Sequence, residues 1–468
     1  MGNPRYERLS AQDLSFLVME STNVHMHVGA INICDAVPVS TADGGINFEL
    51  YRDAIASVLH LVPRYRQRLM WIPTEDRAVW VDDEEFDIDY HIRHTALPRP
   101  GSDEQLKRLA SRILAQQLDR ARPLWEMWVV EGLHGNRFAV ITKVHHCMID
   151  GISGIDLAQI LFSPTPDYEI QEAPPFVPRT PPSRFELMRD SWLQRANLPW
   201  EVMWGAQDFR FETDTSSKLL ARARALAGLV GYAAQPAPKS PLNGPVGPQR
   251  RFDWLRMPLT EFKAVSRTFG CTVNDVVIAT VAGAVREFLL SRHAHPREID
   301  FRIAAPVSVR RREERGRLGN RISAWVVQLP VAEPDPRKRL ETLKAATQEL
   351  KSSQQALGVE TMMAIAEWTP TVLLSLGMRA ASAAANMVVT NVPGPRIPLY
   401  VLGAKVLDFY PVVPLARSNG LGIALISYAG TIHWGFNADY RLVPDLPKFV
   451  QLIEASFRDL TRVAATQR

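Results

Sequence analysis

The chain has 468 residues, 46% of them apolar and 22% charged, with a formal net charge of +4. That is the composition of a globular protein too long for one ordinary domain, and it excludes wholesale disorder, a collagen-like repeat and a disulfide scaffold. The small excess of basic residues does not point to nucleic acid, but it suits an anionic membrane surface or a phosphate-bearing substrate.

In chain order, the N-terminal region opens with Ser10–Asp13, the pattern of a capping box before a short helix. A helical stripe follows at Leu50, Ala54, Ile55, Val58 and Leu59. Residues 69–72 and 78–81 read as a strand pair. Residues 103–118 read as a helix with Leu106, Leu109, Ile113 and Leu114 on one face. Residues 125–130 and 138–144 form a predicted hairpin around the turn residues 132–136. Seven prolines then fall between 164 and 182, which no helix or central strand tolerates, so a connector is expected. Inside it, 217–232 reads as an amphipathic helix carrying Lys218, Arg222 and Arg224.

The C-terminal region begins near Arg251. Thr272–Asp275 is a capping box opening a helix to about Leu290. Strands are expected at 303–309, 324–329, 386–390, 421–428 and 431–436, and helices at 337–352 and 446–463. Strands and helices interleave without regular βαβ spacing, and there is neither a GxGxxG nor a P-loop. The expected architecture is two α/β lobes with mixed sheets: an N-terminal lobe over 1–163, a Pro-rich crossover over 164–250 and a C-terminal lobe over 251–468.

Cys34, Cys147 and Cys271 form no CxxC pair, which fits a reducing cytosol and argues against structural zinc. No apolar leader follows Met1, and the longest apolar stretch, 361–378, is interrupted by Glu367 and Pro370. A cytoplasmic protein is expected, with any membrane contact peripheral.

The chemistry concentrates at Lys143-Val-His-His-Cys-Met-Ile-Asp-Gly151, where a continuous apolar strand ends. Adjacent side chains on an extended segment point to opposite sides, so one histidine faces a cleft while the other packs. Imidazole is mostly neutral at pH 7 and suits general-base work. From the residues alone, a pair of satisfied polar groups is an equal alternative. Metal binding through His146 and Asp150 lacks a third ligand. A Cys147 nucleophile is weaker still, since a cysteine beside His146 faces away and serves as a small apolar residue.

His145-His146-Cys-Met-Ile-Asp150-Gly151 matches the HHxxxDG motif of the bacterial wax ester synthase/diacylglycerol acyltransferase family, which the chain resembles in its mycobacterial-type branch. The opening Leu9–Asp13, Met26-His-Val-Gly29, Pro123-Leu-Trp125, Pro241–Pro245, Asn274-Asp275, Pro306–Arg310 and Asn391–Pro395 follow in family order. The resemblance implies two chloramphenicol-acetyltransferase-like lobes with an active-site tunnel between them. It implies acyl-CoA as co-substrate, with no further cofactor and no metal, and diacylglycerol or a long-chain alcohol as acceptor. It gives His25-Met-His27 a packing role.

On this reading His146 is the general base, His145 supports it, and Asp150 with Gly151 shapes the loop, Asp150 paired to an arginine that the sequence does not identify. Asn274 is a candidate amide donor from the second lobe or, equally, a plain first-turn helix residue behind the cap. Thr390, Asn391 and Arg310 are candidate substrate contacts, Arg310 as part of a basic run that steers CoA or is simply solvated. The helix 217–232 is a candidate for docking on a membrane or lipid droplet, or for packing between the lobes. The alternatives are an enzyme taking another alcohol or a carrier-bound acyl group, and a lipid-binding relative with little turnover.

Overall fold

A computed structural model describes residues 5–73, 75, 77–148, 160–193, 236–308, 322–352 and 383–467. The N-terminal strands are β1 (Glu7–Arg8), β2 (His27–Asp35), β3 (Gln67–Trp71), β4 (Ala78–Asp82), β5 (Ile92–Ala96), β6 (Trp125–Leu133) and β7 (Arg137–His145). The C-terminal strands are β8 (Arg250–Pro258), β9 (Arg302–Ser308), β10 (Ile322–Gln328), β11 (Met387–Pro393), β12 (Tyr400–Val401), β13 (Ala404–Val412), β14 (Leu421–Tyr428) and β15 (Thr431–Asp439). They form two six-stranded mixed sheets, in the orders β12-β13-β2-β7-β6-β5 and β10-β9-β11-β14-β15-β8, and a small sheet β1-β4-β3.

Two lobes are present, but sheet membership does not follow chain order throughout. The hairpin β12-β13 comes from the C-terminal region and pairs, through β13, with β2 of the N-terminal sheet. The two sheets also meet directly. A Cβ on Gly435 of β15 would lie 1.9 Å from the Pro411 carbonyl oxygen of β13, so only glycine allows that approach. From the other side, Ser111 accepts the Phe252 N–H at 2.9 Å, and Lys107 pairs with Asp253 at 2.6 Å.

Local signals explain most elements. Ser10 caps the helix Ala11–Met19 by accepting the Asp13 N–H at 3.0 Å, the side-chain half of the expected capping box. The box at Thr272 is complete and opens the helix Val273–Ser291, which is buried around nearly its whole circumference in the second lobe's core. Helices Phe48–Val58 and Asp103–Ala115 bury the predicted stripes against the first sheet. The helices Pro336–Ser352 and Leu446–Ala465 lie where expected. Strand β2 and β8, the helix Leu259–Phe269 and β13 were not anticipated. Among the described residues no single helix is long and apolar enough to cross a membrane. Within the connector, 164–183 has neither helix nor strand, an isolated bridge ties Ser163 just before it to Tyr400, and a helical segment follows at 184–193. The expected helix 217–232 and the apolar stretch 361–378 lie outside the described residues.

Candidate active site

Strand β7 carries the histidines to its carboxyl end between β2 and β6. Two backbone bonds fix them there. His145 N–H donates to the Leu124 carbonyl at 2.9 Å, and His146 N–H donates to the Met26 carbonyl at 2.8 Å. The Pro123-Leu124-Trp125 segment therefore holds His145 by its own backbone. Trp125 anchors that segment, fully buried, stacked on His91 at 4.6 Å and donating Nε1–H to the Tyr65 carbonyl at 2.8 Å. Glycine at position 29 lets β2 come close enough for this pairing, since a Cβ there would sit 2.0 Å from the Thr142 carbonyl oxygen.

The two imidazoles part where β7 ends at His145 and a 3-10 turn, His146–Met148, begins. His145 is 1% exposed and faces His27, its register partner on β2, ring centroids 6.0 Å apart. Its Nδ1 accepts the Cys147 N–H at 3.2 Å and lies 2.9 Å from the Cys147 Sγ. That leaves Nε2 to carry the ring proton, 3.2 Å from the Glu20 Oε1, close but not collinear enough for a well-aimed hydrogen bond. Cys147 is thus buried against His145 rather than filling apolar space alone. Burial pushes its thiol well above the ordinary range, which disfavours a thiolate nucleophile.

His146 sits on the other side, partly exposed, with Phe16 stacked on its ring at 3.8 Å and 22°. Phe16 and Met19 pack in turn against Val24, Met26, Val246 and Leu415, an apolar wall drawn from both ends of the chain. Its Nδ1 is buried with no partner among the described residues. Burial, reinforced by the neighbouring His145 and opposed by its own backbone, lowers the imidazole pKa to about 4. The ring is therefore neutral at pH 7.

Glu20 and Phe16 are the residues that sequence reasoning missed. Both come from the helix Ala11–Met19 and its C-cap, and they meet the two histidines separately. The available signal was a lone carboxylate ending an apolar helix just before His25-Met-His27. Among the described residues no group of three or more His, Cys, Asp and Glu side chains has metal-binding geometry. His25 and His27 stack at 5.3 Å, and burial lowers both pKa values.

In the second lobe, Asn391 on β11 donates from Nδ2 to the Asn274 Oδ1 at 3.3 Å, joining two of the predicted residues. Asn274 occupies the first turn of Val273–Ser291, and its own amide hydrogens have no partner among the described residues. Thr390 precedes Asn391 on β11, so its side chain takes the opposite face of the sheet. Among the described residues no contact links the histidine pair to the asparagine pair. Asp150, Gly151 and Arg310 lie outside the described residues, and with Asp150 so does its expected pairing to an arginine.

Two mixed sheets, with a hairpin of the C-terminal region added to the N-terminal one, make a fold also seen in solved acyltransferase and condensation-domain structures. The first condensation domain of the calcium-dependent antibiotic synthetase has this fold at TM-score 0.59 and 17% identity, covering 99% of this chain and 97% of that one. The wax ester synthase/diacylglycerol acyltransferase from Marinobacter aquaeolei VT8 is nearer, at TM-score 0.70 and 26% identity over 98% of this chain and 100% of that one. The model of the wax ester synthase/diacylglycerol acyltransferase catalytic domain matches residues 9–277, and that of the WS/DGAT C-terminal domain matches 318–461. Two Mycobacterium tuberculosis proteins described as probable diacylglycerol O-acyltransferases are similar over nearly their whole lengths. One, tgs1, is 32% identical over 98% of this chain and 97% of its own; the other, tgs2, is 33% identical over 96% and 97%. The chain belongs to the wax ester synthase/diacylglycerol acyltransferase family.

Proposed function

We propose that this enzyme transfers a fatty acyl group from acyl-CoA to diacylglycerol, forming triacylglycerol, and to long-chain alcohols, forming wax esters, with His146 as general base. The observation that carries the reading is the contrast between the two rings: His145 is sealed, whereas His146 is neutral, partly open and bordered by an apolar wall. His146 takes the proton of the acceptor hydroxyl as its oxygen attacks the thioester carbonyl. The tetrahedral oxyanion collapses, the C–S bond breaks, the ester C–O bond remains, and His146 returns the proton to the CoA sulfur. Neither an acyl-enzyme nor a metal is needed, because the thioester is already activated. The Asn274 amide N–H groups, which have no partner among the described residues, are the candidate donors to the oxyanion, with Asn391 fixing their orientation.

The test is lipid mass spectrometry on purified protein given palmitoyl-CoA with either dioleoylglycerol or hexadecanol. Triacylglycerol from the first pair, wax ester from the second and loss of about 10²- to 10⁴-fold in His146→Ala are expected. Near wild-type turnover in His146→Ala overturns the assignment of the base. Products with neither acceptor overturn the substrate class.

Both acceptors are insoluble in water, so the protein is proposed to work in the cytoplasm at a lipid surface, and the described residues offer a docking face. In the helical segment 184–193, Phe185 (74% exposed), Met188 (43%) and Trp192 (70%) share one side, with Arg184 and Arg189 exposed beside them. Leu187 on the opposite side is fully buried against Ile72, Val79 and Val81. Glu186 pairs with Arg5 at 3.3 Å, and Asp190 accepts from Tyr6 at 2.9 Å and from Arg189 at 3.0 Å, so the outer face presents apolar side chains with Arg184 beside them, suited to an anionic bilayer or monolayer. Wild-type protein is expected to float with phosphatidylglycerol vesicles, and Phe185→Asp with Trp192→Asp to cut flotation at least fivefold. Unchanged flotation excludes this face.

A further inference from the structure

We infer that Glu20 is the positioning residue of the histidine pair, setting its carboxylate charge against His145 and holding His146 through the backbone of Met26. The inference rests on the transfer reaction proposed above. Glu20 Oε1 accepts the Met26 N–H at 3.1 Å, and the Met26 carbonyl accepts the His146 N–H at 2.8 Å. The same oxygen lies 3.2 Å from His145 Nε2 and 3.9 Å from His27 Nε2. The other oxygen, Oε2, accepts from Arg120, whose Nε stands at 3.2 Å and whose Nη2 makes a short second bond, and from Gln117 at 3.4 Å. Arg120 Nη2 also donates to the Leu17 carbonyl, clamping the carboxylate to its own helix. The Glu20 main-chain carbonyl accepts from Arg417 at 3.5 Å, which ties the C-terminal region to the same point.

A carboxylate this buried is costly unless every lone pair is used, and here both oxygens are. Burial alone would raise its pKa, but His145 and Arg120 more than reverse that, so Glu20 is held as the anion. A merely structural carboxylate would need Arg120 alone. The division of labour between the oxygens, Arg120 on one and the histidine side on the other, assigns the second role. Glutamine offers an oxygen to one side only, and the charged guanidinium takes it. Glu20→Gln therefore turns an amide N–H₂ towards His145 and the Met26 N–H.

The test compares Glu20→Gln with Arg120→Met, which breaks the outer pair and leaves the histidine side in place. Each is measured for Tm, kcat and KM for palmitoyl-CoA, and for the rate at which diethylpyrocarbonate modifies His145, mapped by mass spectrometry. Glu20→Gln is expected to lose at least tenfold in kcat with KM within twofold, and to carbethoxylate His145 at least fivefold faster than wild type. Arg120→Met is expected to lose as much Tm or more, with kcat within threefold and His145 protected. Equal kcat losses in proportion to Tm, or Glu20→Gln with wild-type kcat and a protected His145, overturn the inference. If wild type forms no ester, the proposed reaction has failed, and the carbethoxylation rates still decide the role of Glu20.

Discussion

The two halves hold their polar ends by different means. At the end of β7 the histidines rest on buried charge. Glu20 with Arg120 lies on one side, and on the other Lys143, fully buried, reaches Glu126 at 3.1 Å and the Ile113 and Gln116 carbonyls at 3.1 and 3.2 Å. In the second lobe Asn274 rests on a capping box. Asp275 Oδ2 accepts the Thr272 N–H at 2.8 Å and its hydroxyl at 2.7 Å, while Oδ1 accepts the Thr347 hydroxyl at 2.7 Å. The first arrangement couples position to charge; the second fixes an amide with local hydrogen bonds. On the proposed roles the difference makes sense, because a base needs a tuned environment whereas an oxyanion donor needs only a rigid one.

The sharpest break is Lys143→Met. Among the described residues it leaves Glu126, 6% exposed, with Arg93 at 3.5 Å and the Trp128 Nε1 at 3.2 Å, and strips the last carbonyls of Asp103–Ala115 of their cation. Removing one partner of a buried pair costs about 3–5 kcal/mol, and urea unfolding should show a loss of that size. Lys143→Met combined with Glu126→Leu should recover much of it, because the uncompensated charge is then gone.

Acid should act next, on buried imidazoles of both halves. His91 and His146 both have pKa values lowered by burial, each to about 4, and so does His433, which faces Asp408 where the sheets meet. A histidine whose folded pKa lies below its unfolded value near 6.5 supports the fold above that value. The contribution fades as pH falls from 6.5 through 4. Stability is therefore expected to decline over that interval, and His91→Asn should flatten the decline. The acid limb of kcat/KM, which reports the free enzyme, should lie nearer 4 than 6.5. A limb at 6.5 in a folded enzyme would remove His146 from the role of base.

How much of this was legible in the sequence follows the range of the signals. The histidine pair stands at a strand end, and Thr272–Asp275 is a local cap, so both could be read from neighbours in the chain. Strand β2 was obscured because most of it is buried, leaving no clean alternation around Ala30-Ile-Asn-Ile-Cys34. Strand β13 alternates buried and open residues, but Pro411 argues locally against a strand, and its pairing with β2 brings together distant parts of the chain. Glu20 was invisible for the same reason: its meaning comes from His145 and Arg120, which only the fold brings to it.

A smaller change, Asp275→Ala, attacks the second lobe. It removes the side-chain half of the box and the Thr347 bond from a site 2% exposed, at a cost of about 2 kcal/mol. Because the network is local, the acid limb of kcat/KM should stay where it is in wild type, even as Tm falls. A shift in that limb would show that the two halves are coupled through charge after all.

The smallest expected effect on stability belongs to Asn391→Ala. It deletes one partly exposed hydrogen bond of 3.3 Å, worth about 0.5–1 kcal/mol. Catalysis should respond more than stability does. Without Asn391 the Asn274 amide loses the acceptor bond that orients it, and a donor aimed at a developing oxyanion contributes about 10²- to 10³-fold when correctly placed. A loss of roughly tenfold in kcat, with KM for palmitoyl-CoA unchanged and Tm within a degree or two, is the expected signature of a misaimed but present donor. Asn274→Ala should lose more, and the double variant no more than Asn274→Ala alone, because Asn391 acts only through Asn274. Additive losses in that cycle would instead mean that each amide meets the substrate separately.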